Sequence, residues 1–232
     1  MDFFGIYKKL FKLYGPQGWW PLLIKNLEYK KENSQKIKVV YGISYNQLSK
    51  YYTKFRDPYF EIALGAILTQ NTAWVNVTKA LINLYSAHTL TPKQILKLDH
   101  FRLQKLIRPA GYFRQKAKKI KLFCQWLVDE CDGDLLELKK YPTKKIREKL
   151  LAQWGIGRET ADSIILYALN RPIFVIDTYT KRFCAECGII YKNYDDYRIL
   201  FESSLGRNTK IFQEYHAIFV ASGKDNHKRI KN

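Results

Sequence analysis

The stretch from Leu151 to Arg182, LAQWGIGRETADSIILYALNRPIFVIDTYTKR, constrains this chain more than any other, because it sets a glycine-punctuated turn, an apolar helix and a lone carboxylate in fixed order. Gly155-Ile156-Gly157 reads as a hairpin between two short helices, the first opened by Pro142 and the second running from Arg158 to Leu169. Glycines let successive backbone N–H groups turn outward together. Such a concave run of donors at a helix start, flanked here by Arg158 and Thr160, binds an anion through the main chain, and a nucleic acid phosphate fits it. Asp177 follows the apolar run Ile173 to Ile176 and precedes Thr178-Tyr179-Thr180, the position of a helix N-cap.

The rest of the chain is helical in its periodicity. Phe60 to Leu68, Ala73 to Ser86, Pro92 to Leu98, His100 to Ile107, Arg114 to Cys131 and Pro142 to Leu151 carry apolar residues at spacings of three and four. Helices are also expected from Asp177 to about Cys187, from Asp195 to about Ser204 and from Lys210 to Ser222. Lys36 to Ser44 has the β-branched content for one short strand or hairpin, and no convincing strand pair is read elsewhere. The expected fold class is all-α.

Composition points to a polyanionic partner. Forty Lys and Arg against twenty-one Asp and Glu leave a formal charge of +19 in 232 residues, more than solubility requires. The charge is clustered: Lys25 to Arg56 holds eight basic and two acidic residues, Arg114 to Lys121 five basic and none acidic, and Lys224 to Lys231 four basic and one acidic. Binding that weakens steeply with salt is the expected consequence. The chain has no apolar run of membrane-spanning length, and its amphipathic N-terminus lacks the apolar region and cleavage site of a signal peptide. Four cysteines without a disulfide-like framework fit a reducing cytoplasm, here at the nucleoid, and a monomer with no membrane association is expected.

The motif GIG followed by TA, an apolar helix and VIDTYTKR resembles the helix-hairpin-helix DNA glycosylases of the endonuclease III superfamily. The similarity extends to GAILTQNTAWVNV (Gly65 to Val77), IRPAGYFRQKAKKI (Ile107 to Ile120) and YGPQGWWP (Tyr14 to Pro21), which together resemble the 3-methyladenine DNA glycosylase branch. The resemblance implies two helical lobes with the active site in the cleft between them. One is a six-helix barrel carrying the hairpin, residues 58–169. The other is built from residues 1–57 and 170–232, with a basic insertion at 25–57. It implies a DNA N-glycosylase of base excision repair acting on double-stranded DNA that contains a damaged base.

Within that family pattern Asp177 is the catalytic aspartate, and it has no acidic competitor between Asp162 and Glu186. Cleaving an N-glycosidic bond builds positive charge on the deoxyribose. A nearby carboxylate stabilises that charge and can orient or deprotonate water. Bifunctional relatives place a Lys two residues after the second hairpin glycine, where its amine forms a Schiff base. This chain has Glu159, which cannot form an imine, so a monofunctional enzyme using water is expected and abasic-site lyase activity is doubtful. Gln70 matches the polar residue that fills the space left by an extruded base, with capping of the helix near Ala73 as its structural alternative. Trp19, Trp20, Pro21 and Phe60 are aromatic-pocket candidates for a cationic alkylated purine such as 3-methyladenine. Thirty-five aromatic residues in the chain make core packing the competing explanation. Lys224 either neighbours the catalytic aspartate or begins the basic tail, and His216 is expected to be a buried histidine satisfied by a backbone carbonyl.

Two departures stand out. Most relatives in that family carry an iron-sulfur cluster on four cysteines after the last helix, but here no cysteine follows Cys187. Cys184 and Cys187 form only a CxxC, and no cluster or metal is expected. The insertion from Lys25 to Asp57, rich in Lys and Tyr, reads equally as an extension of a DNA-binding face or as a solvated insertion with a short hairpin. Two other functions remain open: a bifunctional endonuclease III-like glycosylase and lyase acting on oxidised pyrimidines, and a non-catalytic helix-hairpin-helix DNA binder.

Overall fold

The computed structural model describes the backbone of residues 1–25 and 37–231 and the side chains of residues 1–24 and 37–225. Eleven helices dominate: α1 (Phe3–Tyr14), α2 (Pro58–Leu68), α3 (Trp74–Ser86), α4 (Pro92–Lys97), α5 (His100–Ile107), α6 (Phe113–Cys131), α7 (Thr143–Leu151), α8 (Arg158–Ser163), α9 (Thr178–Glu186), α10 (Tyr194–Leu205) and α11 (Thr209–Lys231). The chain is all-α, and among the described residues the strands form one antiparallel pair, β1 (Leu22–Lys25) with β2 (Ile37–Val40), in which Leu22 faces Val40. The short strand or hairpin read at Lys36 to Ser44 is the strand β2, and sequence reading missed its partner β1 because LLIK alone is too short to show alternation.

The apolar stripe of each helix decides its neighbour. α2 is buried along its whole length, with Phe60, Leu64, Ile67 and Leu68 wholly inaccessible, and it packs against α3, α6 and α8. Asp57 accepts from the N–H groups of Tyr59 and Phe60 and Pro58 opens the first turn, so the helix starts where its donors are satisfied. α1 packs on α10 and α11, and α9 on α11. Phe174, in the extended segment that precedes α9, stacks on Phe201 at 4.4 Å and meets Phe212 edge-on at 5.3 Å. Burying each such ring stabilises by about 2 kcal/mol.

The helix expected from Arg158 to Leu169 changes character midway. Residues Ile164–Ala168 form a π turn in which the Leu169 N–H reaches back to Ile164. Such widened turns re-aim side chains within a helix.

Of the 25–57 insertion, residues 26–36 lie outside the described residues. In the remainder most side chains are exposed or half-buried, while Leu48, Arg56 and Asp57 are buried and Arg56 pairs with the Glu61 carboxylate of α2 at 2.6 Å. Among the described residues no helix is long and apolar enough to cross a membrane.

Candidate active site

A cleft of about 1200 Å³ is lined by the hairpin, the start of α9, the turn after α2 and the middle of α11. It brings together Trp19, Trp20, Gln70, Gly155, Ile156, Gly157, Glu159, Thr160, Asp177, His216 and Lys224. Arg158 lies at the hairpin but faces α10, where its guanidinium pairs with Asp195 at 3.1 Å. Pro21 and Phe60 are not part of the lining. Both are buried, and the residue that α2 gives to the cleft is Ala66, on another face of the helix from Phe60.

The hairpin wall is built mainly from backbone. Gly155 has φ +84°, a left-handed conformation costing a side-chain-bearing residue roughly 1–2 kcal/mol. A Cβ there would also lie 2.6 Å from Cγ of Lys119. Gly157 is different: its φ of −86° is open to any residue, but a Cβ would point into empty space. The first glycine makes the turn, and the second leaves the N-terminus of α8 bare. Gln70 does not cap α3. Its amide donates to the Gly155 carbonyl at 3.0 Å and to the Thr160 hydroxyl at 2.9 Å, while its carbonyl accepts from Lys119. The cleft rim and the hairpin are thereby tied across 85 residues of chain.

The opposite wall is built from side chains. Asp177 caps α9, one carboxylate oxygen accepting from the Thr180 N–H at 2.7 Å and the Thr180 hydroxyl at 2.8 Å. Its other oxygen lies 3.7 Å from Nε2 of His216. His216 therefore has a different partner from the expected backbone carbonyl. Its Nδ1 lies 2.7 Å from the Tyr167 hydroxyl, which is 3.1 Å from the carbonyl of Gln213. Burial holds the imidazole below its usual pKa, against the opposing pull of Asp177, so the ring is neutral at pH 7. With the single Tyr167 hydrogen donated to the Gln213 carbonyl, Nδ1–H of the neutral ring donates to the Tyr167 oxygen; the other tautomer turns that hydrogen onto Nδ1 instead. Tyr167 reaches this position from the π turn.

Glu159 stands beside Asp177 on the first turn of α8. Its poorly solvated place in the cleft, and after that the Asp177 charge, push its carboxyl up to about 7, with Lys181 opposing. Its side chain is exposed at the cleft surface, with the walls of the cleft around it.

The aromatic part of the cleft is larger than the sequence suggested. Trp74 joins Trp19 and Trp20, each pair of rings within 5.5 Å, and Trp20 also contacts Tyr167 at 5.2 Å. Gly65 permits this closeness, since a Cβ there would lie 3.1 Å from the Trp20 indole nitrogen. Sequence reasoning missed Trp74, Tyr167, Thr180 and Lys119. Only Thr180 had a local signal, as the residue three places after an N-cap Asp. Lys224 is exposed on the cleft side of α11, and side chains beyond Asp225 lie outside the described residues.

Cys184 sits on α9, where burial pushes its thiol up to about 12, and Cys187 is the C-cap of that helix. Cys124 and Cys131 belong to α6. Among the described residues no three His, Cys, Asp or Glu side chains converge on a metal-sized space, so this donor set does not fit a four-cysteine cluster.

Comparison with known proteins agrees with the geometry. The profile of the HhH-GPD superfamily base excision DNA repair proteins matches residues 64–205. A Methanocaldococcus jannaschii protein named as a DNA repair glycosylase is 37% identical over 94% of this chain and 84% of its own length. Endonuclease III of Thermotoga maritima is 30% identical over 58% of this chain and 59% of its own length. Among solved structures, H. pylori 3-methyladenine DNA glycosylase bound to 1,N6-ethenoadenine superposes with a TM-score of 0.74 at 26% identity, covering 97% of this chain and 99% of that one.

Proposed function

The chain belongs to the HhH-GPD superfamily of base excision DNA repair proteins, and from that premise we propose that it is a monofunctional DNA glycosylase hydrolysing an alkylated purine from double-stranded DNA. The observation that carries this reading is the pairing of Asp177 with Glu159 in one cleft, where a bifunctional enzyme would set an amine beside its aspartate. Asp177 stabilises the charge that grows on the deoxyribose as the base departs. The bare N-terminus of α8 takes a backbone phosphate, and Gln70 fills the vacated stack once DNA displaces it from the hairpin. Trp19, Trp20 and Trp74 offer ring faces to a base carrying positive charge. The geometry of the lesion pocket and the likeness to a 3-methyladenine DNA glycosylase support an alkylated purine. The protein acts as a monomer without a cluster, gripping DNA between residues 58–169 and the lobe formed by 1–57 with 170–232.

The test is excision from duplex oligonucleotides carrying an alkylated purine, an oxidised pyrimidine, uracil or an abasic site, with alkali added or withheld. Strand breaks at the alkylated purine that depend on alkali are expected. Efficient trapping of a covalent protein–DNA adduct by borohydride, or nicking of abasic DNA without alkali, would overturn the water-using mechanism.

A further inference from the structure

We propose that Glu159 is a second catalytic residue, the base that takes the proton from the water attacking C1′, leaving Asp177 to stabilise the sugar cation. This rests on the glycosylase reading above. The two carboxylates are held very differently. Asp177 has one oxygen engaged twice by Thr180 and the other turned toward His216. A carboxylate so occupied is well placed to present fixed negative charge and poorly placed to accept a proton.

Among the described residues no side-chain hydrogen bond or ion pair holds the Glu159 carboxylate, and it opens into the same cleft. The groups that face it come from two elements: Asp177 at the head of α9 and Lys181 within it act on its charge, and Tyr194 on α10 lies close enough to feel that charge. Tyr194 is itself committed, its hydroxyl donating to the buried Asp162 and accepting from the Ile176 N–H. His216 faces Asp177 rather than Glu159. With its carboxyl pushed up to about 7, Glu159 has both the proton-free form needed to start the step and the basicity to complete it near neutral pH. In the step the C1′–N bond breaks and its electron pair leaves with the base. A water oxygen bonds to C1′, one water proton passes to Glu159 and from there to solvent, and a cationic alkylpurine departs neutral without needing a proton. Glu159 also complements the positive end of α8, a purely stabilising role that would leave the reaction untouched.

Single-turnover excision across pH 5.5–8.5 separates these roles, with Kd for abasic-site DNA and thermal melting measured alongside. For the unmodified protein the rate is expected to rise with pH and level off above about 7. Glu159→Gln should lower the plateau roughly 10²-fold and remove the bend, with affinity for abasic-site DNA unchanged. Glu159→Asp should restore part of the rate together with a bend. Glu159→Gln with the wild-type rate and profile would overturn the proposal, as would a rate loss matched by an equal loss of DNA affinity or of folded protein. If the unmodified protein excises no lesion, the glycosylase reading itself fails and takes this assignment with it. Excision that survives in the unmodified protein but is indifferent to position 159 sinks the assignment alone.

Discussion

The two walls of the cleft solve different problems with different materials. The hairpin wall offers main-chain donors at Gly155 to Gly157, and its main side-chain tie is the Gln70 amide with Lys119 behind it. The Asp177 wall is made of side chains from α8, α9, α11 and the π turn, assembled so that a buried carboxylate has a hydroxyl, an amide and an imidazole around it. A wall that holds a repeating phosphate needs shape alone. A wall that stabilises one charge at one atom needs surroundings fixed from several directions, and those surroundings come from distant parts of the chain.

The sharpest break between the walls is Asp177→Asn. Asparagine caps a helix nearly as well as aspartate, so folding and DNA binding should survive while excision falls roughly 10²- to 10³-fold. Equal losses of binding and excision would erase the distinction. Gly155→Ala tests the other wall. Strain at φ +84° should cost about 1–2 kcal/mol in denaturant melts, and Kd for DNA should weaken, while excision at saturating enzyme stays within a few-fold. An excision defect that saturation cannot rescue would show that the hairpin acts on chemistry as well as grip. The smallest effect is expected from Tyr167→Phe, which removes one hydrogen bond to His216 and should cost about 1 kcal/mol of stability. A few-fold slower excision with unchanged DNA affinity would place His216 and Tyr167 in the support of Asp177. Unchanged excision would confine them to packing.

The legibility of these walls in the sequence follows from the same contrast. Gly155 could be read because a tight turn demands a residue without a Cβ, and Asp177 because a cap at the head of a helix needs a short acceptor. Both requirements are local. The periodicity of α2 was readable as helix, but which of its faces meets the cleft was not, and so Phe60 was assigned to a pocket that Ala66 lines instead. Trp74 stands 54 residues after Trp20, and nothing in that spacing announces that their rings meet at 5.2 Å. His216 carried no signal of its neighbour, because a buried imidazole next to a carbonyl and one next to a carboxylate look alike in one dimension.

By itself the sequence determined the all-α class, the hairpin, the capping aspartate and the absence of a lysine at position 159, since each depends on residues within a turn or two of one another. Only the tertiary structure decided that Glu159 shares a cleft with Asp177, that Gln70 is tied to the hairpin, and that three tryptophans converge. Backbone geometry is dictated by neighbours in the chain. The electrostatic state of a carboxylate is dictated by neighbours in space, and these are set by how the helices pack.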